Sequence, residues 1–127
     1  MEEAFRTLLT GHAPITALVP ATRINFGKHP QGAPLPGIVL NVVANGSTDY
    51  SLDGAGLYDA RVQVDAYADT YARVKAVQRA VQARLEGYQG GAFQMVALLV
   101  ASDRAEDVAA DTPIHRVIMD FRAVYTA

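Results

Sequence analysis

The residue types most often used for chemistry are few and scattered in this sequence. Histidines stand at positions 12, 29 and 115, and no two of them have the helical spacing of a His-Glu-x-x-His metal site. Metal sites are recognised by clustered ligands, and no cysteine is available as a further ligand. His115 lies among the apolar residues of a predicted strand, which indicates a core or interface histidine. The sequence therefore predicts no metal.

The acidic stretch from 102 to 112 is the best candidate for a calcium loop. Its spacing does not provide the alternating oxygen ligands of an EF-hand, and the central glycine is missing. We predict a solvated loop whose charge is partly balanced by Arg104. The acidic residues are Asp103, Glu106, Asp107 and Asp111.

Phosphate binding and nucleophilic catalysis have no support in the sequence. The glycine clusters at 54–56 and 87–91 lack the Gly-Lys-Ser/Thr pattern, and neither follows a strand and opens a helix. Ser47, Ser51 and Ser102 have no nucleophile-elbow context. No carboxylate pair is recognisably placed for acid–base work. From these residues alone an enzyme remains open but has no support, and no cofactor is predicted.

Composition narrows the class of protein further. The 127 residues suit one domain, 1–127, and 50% hydrophobic residues suffice for one core. The formal net charge of −2 lacks the basic excess of a general nucleic-acid binder. The acidic start, Met-Glu-Glu, is unlike a signal peptide, and the apolar runs are too short to span a bilayer.

The elements that position these residues are clearest between 57 and 88. Polar and apolar residues alternate from 57 to 68, as in a half-buried strand. A helix of about 18 residues follows, with Asp69 as the predicted N-cap and Gly87 as the C′ residue. Its predicted apolar face consists of Tyr71, Val74, Val77, Val81, Leu85 and Tyr88.

The remaining segments supply a sheet for this helix to cover. We predict an α+β fold, in which one long amphipathic helix and a short N-terminal helical segment pack on an antiparallel sheet. Turn signals at 45–48 and 53–56 mark a long arm between two antiparallel neighbours, strands 37–44 and 57–68. The other predicted elements are helical turns at 2–10 and 13–19, a strand at 23–26, a proline-rich loop at 30–36, strands at 93–101 and 114–125, and a loop at 102–112.

Charged residues on two predicted strands form the one informative constellation. Alternation places Arg61, Gln63 and Asp65 on one strand face, and Arg116, Asp120 and Arg122 on one face of another strand. If the strands are adjacent, opposite charges across them are complementary. Two interpretations remain open. The face is either an ordinary solvated sheet side, or it meets another subunit, with aliphatic and aromatic residues such as Tyr67 interleaved among the charges.

The order of several stretches resembles that of small phage tail-completion proteins, which are also called tail terminators or head-to-tail joining proteins. These proteins occur in siphophages, prophages and gene-transfer particles. The stretches that carry the resemblance are Glu-Glu-Ala-Phe-Arg-Thr-Leu-Leu at 2–9, Ile-Thr-Ala-Leu-Val at 15–19, Pro-Gln-Gly-Ala-Pro-Leu-Pro at 30–36, Tyr-Ser-Leu-Asp-Gly at 50–54, Arg-Val-Gln-Val-Asp-Ala-Tyr-Ala at 61–68, His-Arg-Val at 115–117 and Asp-Phe-Arg at 120–122.

The resemblance implies a structural virion protein with no enzymatic activity. It implies a ring, typically a homo-hexamer, at the head-proximal end of the tail tube, where it ends tube polymerisation and DNA passes through its lumen. The implied partners are further copies of the chain, the tail tube protein and the head–tail connector or stopper protein. It implies no sequence-specific DNA binding and no membrane. The implied location is the virion, after assembly in the bacterial cytoplasm.

Two sets of residues are predicted to make these contacts. The predicted subunit interface is Arg61, Asp65, Tyr67, Arg116, Asp120 and Arg122. The predicted partner-contacting arms contribute Asn45, Thr48, Tyr50, Leu52, Asp53, Arg104, Glu106 and Asp107. Two alternatives remain open: a small dimeric α+β ligand-binding module or enzyme with a concave apolar pocket, and an adaptor that binds a peptide at a strand edge.

Overall fold

A five-stranded sheet with its helices on one face forms the framework of the protein. The structure is a computed structural model that describes residues 1–27, 36–47, 57–106 and 114–126, without the side chains of Ser47, Ala105 and Glu106. The strands, β1 (Ile24–Phe26), β2 (Gly37–Ser47), β3 (Leu57–Ala68), β4 (Phe93–Glu106) and β5 (Ile114–Thr126), lie in the order β1-β2-β3-β5-β4.

Three α-helices and a short 3-10 helix (Ala21–Arg23) accompany the sheet among the described residues; the α-helices are α1 (Glu2–Thr10), α2 (Ala13–Thr16) and α3 (Tyr71–Leu85). The long helix α3 buries Val74, Val77, Val81 and Leu85, which recur every three or four residues and so share one face. Burying each such side chain stabilises the fold by about 1.5–3 kcal/mol. The acidic first turn of α1 suits the positive end of its helix dipole.

Alternation along the strands divides the sheet into a buried and an outward side. On β3, Val62, Val64 and Ala66 are fully buried, and their partners on β5 are equally buried. Phe5 of α1 packs edge-on against Phe93 of β4, with the ring centroids 6.1 Å apart, and closes one end of the core. The predicted α+β fold is confirmed, as is the antiparallel pairing of β2 with β3. The short edge strand β1 departs from the predicted antiparallel sheet, because it pairs parallel to β2.

The predicted start of the long helix is wrong by one residue. Thr70, and not Asp69, is the N-cap: its backbone is extended and its Oγ1 accepts a hydrogen bond from the Arg73 N–H at 3.2 Å. Asp69 instead pairs with the Arg73 guanidinium at 3.3 Å. Gly87 has the expected positive φ, 76°, just past the helix end.

The helix is also shorter than expected, and neither aromatic residue of its predicted apolar face is fully buried, although Tyr88 packs partly buried against the core. Tyr71, in its first turn, is 54% exposed. Tyr88 lies beyond the C-terminal end, where its ring packs under the Arg84 guanidinium at 4.9 Å from the ring centroid.

Two strands continue where the sequence predicts turns or loops. β2 runs through Asn45 and Gly46, which pair with Ala60 and Asp59, so the predicted turn at 45–48 is wrong over these residues. β4 continues to Glu106, beyond the predicted strand end at 101. In both cases pairing with a neighbouring strand outweighs the local preference of polar and glycine residues for a turn. The proline-rich loop at 30–35 and the arm from 48 to 56 lie outside the described residues.

Candidate interaction surface

The outward side of β3 and β5 carries most of the charged residues that the sequence singled out. We call it the outer face; it comprises Asp59, Arg61, Gln63, Asp65 and Tyr67 of β3 with Arg116, Ile118, Asp120, Arg122 and Val124 of β5. These residues alternate with the core residues of the same strands, which explains their common side. The three α-helices lie on the other side of the sheet.

Three cross-strand ion pairs lie on the outer face, and all of them run along the same diagonal. Arg122 pairs with Asp59 at 2.7 Å and Arg61 pairs with Asp120 at 3.3 Å. Arg116 pairs with Asp65. In each pair, the β5 residue stands two positions before the residue directly opposite its β3 partner. One strand register therefore forms all three contacts.

The diagonal ion pairs offset the repulsion between two arginines that lie opposite each other. Arg61 lies directly opposite Arg122, an arrangement that destabilises a sheet when the charges are unpaired. Each guanidinium instead turns to a carboxylate on the diagonal. The hydrogen bonds from Arg122 to Asp59, followed by the attraction between the two charges, raise the pKa of Arg122.

Asp65 is the most buried charged residue described. It is 2% exposed, and its carboxylate accepts hydrogen bonds from Gln63 Nε2 at 3.0 and 3.2 Å as well as from Arg116. The Arg116 guanidinium also lies 5.4 Å from the ring centroid of Tyr67. Because a buried charge is costly unless it is paired and hydrogen-bonded, Asp65 is a structural anchor of the outer face.

A second polar cluster joins the start of α3 to β4. Lys75 Nζ lies 2.7 Å from Asp103, and the Tyr71 hydroxyl donates to the same carboxylate at 3.2 Å. The hydrogen bond with Asp103 raises the pKa of Lys75 despite partial desolvation. The hydrogen bond from Lys75 is also the largest cause that lowers the pKa of Asp103.

Two surface depressions are lined by described residues. One of about 250 Å³ is lined by Tyr71, Asp103, Arg104 and His115, with the Tyr71 and His115 rings edge-to-face at 6.0 Å. Another of about 380 Å³ lies between the chain after α2 and the α3 surface, beside Leu18, Arg23 and Arg73. In the described ranges, no group of three or more His, Cys, Asp or Glu residues is placed to hold a metal. None of the helices described is long and apolar enough to cross a membrane.

All six residues of the predicted subunit interface lie together on the outer face. The pairing of β3 with β5 brings them there. The structure describes only part of the predicted partner-contacting arms. Asn45 accepts a hydrogen bond from the Tyr125 hydroxyl at 2.8 Å, and Arg104 is exposed on β4. Thr48, Tyr50, Leu52, Asp53 and Asp107 lie outside the described residues, as does the side chain of Glu106.

Sequence reasoning missed two participants in these clusters. Asp59 was not predicted as a contact residue, although it shares the outward alternation of Arg61. Only the strand register shows that it receives Arg122. Lys75 was not predicted as a contact residue, and nothing local in the sequence predicts that it meets Asp103, 28 residues away.

Comparison with known proteins gives a consistent result. A family model described as Tail completion protein gp17 matches residues 3–126. Among solved structures, the chain is similar to a chain in the virion of a native gene transfer agent (GTA) particle. That likeness has a TM-score of 0.66 at 24% identity and covers 95% of this chain and 90% of the other. No curated protein matches the chain.

Proposed function

Because the chain belongs to the tail completion protein gp17 family, we propose that it forms a closed ring at the head-proximal end of a phage-like tail tube. The ring stops tube polymerisation and joins the tail to the head connector. The family match over nearly the whole chain is the observation that carries this proposal. Membership makes the chain a structural protein of a phage-like particle and not an enzyme.

The outer face supports the proposal as a contact surface. Its charges are held in fixed cross-strand pairs, and aliphatic and aromatic residues stand between them, including Ile118, Val124 and Tyr67. Interfaces are enriched in aromatic residues and arginine. We propose that Arg61, Asp120 and Arg122 take part in contacts between neighbouring copies, with Asp65, Arg116 and Tyr67 supporting the face from within the sheet.

The proposed ring has the tail tube protein on one side and the connector or stopper protein on the other. The arm segments around Asn45 and Arg104 are the proposed partner contacts, together with the predicted arm residues that lie outside the described ranges. DNA passes through the lumen without being gripped. The net charge of −2 suits a conduit, because every phosphate contact by a free cation would strengthen binding.

Deletion of the gene from the particle-producing host tests the proposed function. We expect DNA-filled heads without tails together with tubes of abnormal length, because nothing then ends polymerisation or joins the two parts. A plasmid copy of the wild-type gene should restore particles with tails of uniform length. Normal tailed particles from the deletion strain, seen by negative-stain microscopy, would overturn the proposal.

A further inference from the structure

Both long edges of the sheet are open in part, and each open part includes an uncharged stretch. On β4, the turn at 87–90 covers the first part of the edge, because the Gly87 N–H donates to the Val96 carbonyl and the Val96 N–H to the Tyr88 carbonyl. From Ala97 to Glu106, no described strand pairs with this edge, which is uncharged as far as Ser102 and then carries Asp103, Arg104 and Glu106. On β2, strand β1 pairs as far as Leu40, and no described strand covers the stretch from Asn41 to Ser47.

These two stretches lack the charged residues and the proline that commonly protect an edge against edge-to-edge pairing. Proteins blunt exposed edges with charged residues or proline. Neither stretch contains one: their sequences are Ala-Leu-Leu-Val-Ala-Ser and Asn-Val-Val-Ala-Asn-Gly-Ser. Three of the five large hydrophobic residues found exposed lie there, namely Val43 at 56%, Leu99 at 47% and Val100 at 51%.

Each of the two edges has a β-bulge at an exposed aliphatic residue. Val43 is the extra residue where the β2 register shifts, and Leu99 is the extra residue at the second shift in β4. A bulge re-aims a side chain and twists the strand locally. A bulge that only protected an edge would not need an exposed leucine or valine at its tip. The pattern is that of a surface covered in the assembled state.

The two edges also match in direction and in height along the strands. Three antiparallel pairings separate β2 from β4, so the two strands run in opposite directions. When the pairing is followed across β3 and β5, Asn41 lies level with Val100 and Ala44 lies level with Ala97. A rotation about an axis along the strands therefore brings β4 of one copy beside β2 of the next, antiparallel and at the same height. Each of these matched stretches contains one bulge.

We infer that neighbouring copies of this chain join by antiparallel pairing of the open β4 edge, Ala97–Ser102, with the open β2 edge, Asn41–Ser47. The inference rests on the proposed ring and adds an edge contact to the outer-face contacts proposed between neighbouring copies. The contact is head-to-tail, so each copy uses both edges, and a suitable rotation gives a closed ring rather than a filament. Backbone hydrogen bonds supply affinity, as in strand addition, while Leu99, Val100 and Val43 lose their exposure.

Cysteine cross-linking tests this pairing directly, because the natural chain has no cysteine. Ala44 and Ala97 both point to the outward side of the sheet and lie level. The A44C/A97C variant, treated with a short bis-maleimide, should convert most of the monomer band into a ladder that ends at the ring. The single variants A44C and A97C should stay monomeric on the same gel. The reaction is run on the protein alone and after incubation with tail tubes.

Several results would overturn the edge pairing. One is the absence of a ladder in both samples, and another is dimer formation by A97C alone, which would indicate symmetric contact between two β4 edges.

As a second measurement, L99K/V100K should lose rings while keeping its Tm, because lysine on an edge opposes pairing. L18K, which changes an exposed leucine elsewhere, should keep its rings. Intact rings in L99K/V100K would also contradict the inference.

The outcomes separate this inference from the proposed function. If the A44C/A97C ladder is absent but deletion of the gene still leaves untailed heads, only the edge pairing fails. If the ladder forms but the deletion strain makes normal tails, the pairing stands and the tail-end role fails.

Discussion

Arg122 of β5 holds both carboxylate oxygens of Asp59 on β3, with its Nε 3.0 Å from each oxygen and its Nη2 2.7 Å from one of them. Neither partner is buried, since the side chains are 45% and 31% exposed. A pair of this kind contributes little to folding because water screens it. We therefore expect the fixed geometry of this ion pair to affect the contacts made by the outer face more than the stability of the fold.

The outer-face pairs are expected to affect assembly more than folding. In R61A/D120A we expect a Tm close to that of the wild type and a loss of the oligomer, measured by thermal unfolding and by light scattering. The control is D69A/R73A, which removes a somewhat more exposed ion pair at the start of α3. An intact oligomer in R61A/D120A would remove these residues from the proposed interface.

The Asp65–Arg116 pair is expected to affect folding strongly. In R116A the buried Asp65 carboxylate loses its cationic partner, and breaking a buried pair costs about 3–5 kcal/mol. We expect urea unfolding to show a lower midpoint with an unchanged m value. R122A serves as the control, because its partner Asp59 is partly exposed. Equal midpoints for R116A and R122A would refute the anchoring role of Asp65.

The cap of α3 offers a test of which residue starts the helix. T70A should destabilise the protein by about 1 kcal/mol, because the Arg73 N–H loses its side-chain acceptor. D69A should cost less, about 0.3–0.5 kcal/mol, since it removes only an exposed i,i+4 pair. T70S should keep most of the wild-type stability, because serine is also a good N-cap residue. If chemical denaturation showed a larger loss of stability in D69A than in T70A, Asp69 and not Thr70 would be the cap.

The Lys75–Asp103 pair predicts a defined pH dependence. The pKa of Asp103 is lowered from 3.8 in the folded state, so its contribution is complete above that value and is lost as the pH falls through the folded pKa. The pKa of Lys75 is raised from 10.5, so its contribution is complete below that value and is lost as the pH rises through the folded pKa.

The free energy of unfolding of D103N, compared with the wild type from neutral pH to pH 3, checks this directly. We expect a deficit of at most about 1 kcal/mol at neutral pH, because the pair is exposed, and a smaller deficit in acid. Q78A is a suitable control, since Gln78 accepts from the same Lys75 ammonium at 3.0 Å without titrating. A deficit that stays constant below pH 3.8 would contradict the assignment.

Local pattern was enough to predict much of this fold. Alternation from 57 to 68 and the spacing of Val74, Val77 and Val81 are direct consequences of strand and helix periods, and both segments fold as expected. The charged residues of the outer face were also found in this way. Their common side follows from period two alone.

The remaining features depend on contacts between distant parts of the chain. Asp69 and Thr70 are both good N-cap types, and only the backbone at Thr70 decides between them. Asn45 and Gly46 favour a turn locally, but pairing with β3 and the hydrogen bond from Tyr125 keep them in a strand. The diagonal from Asp59 to Arg122 depends on the register of β3 with β5, which a single sequence does not reveal.

The measurement that tests the proposed ring most directly is the native mass of the purified protein, alone and bound to tail tubes, combined with negative-stain imaging. We expect a closed ring whose mass is a whole multiple of the 13.6 kDa chain, six copies being the expected number, seated at one end of each tube. Tubes that keep growing in the presence of the protein, with the chain remaining a monomer or a compact dimer, would contradict the proposed function.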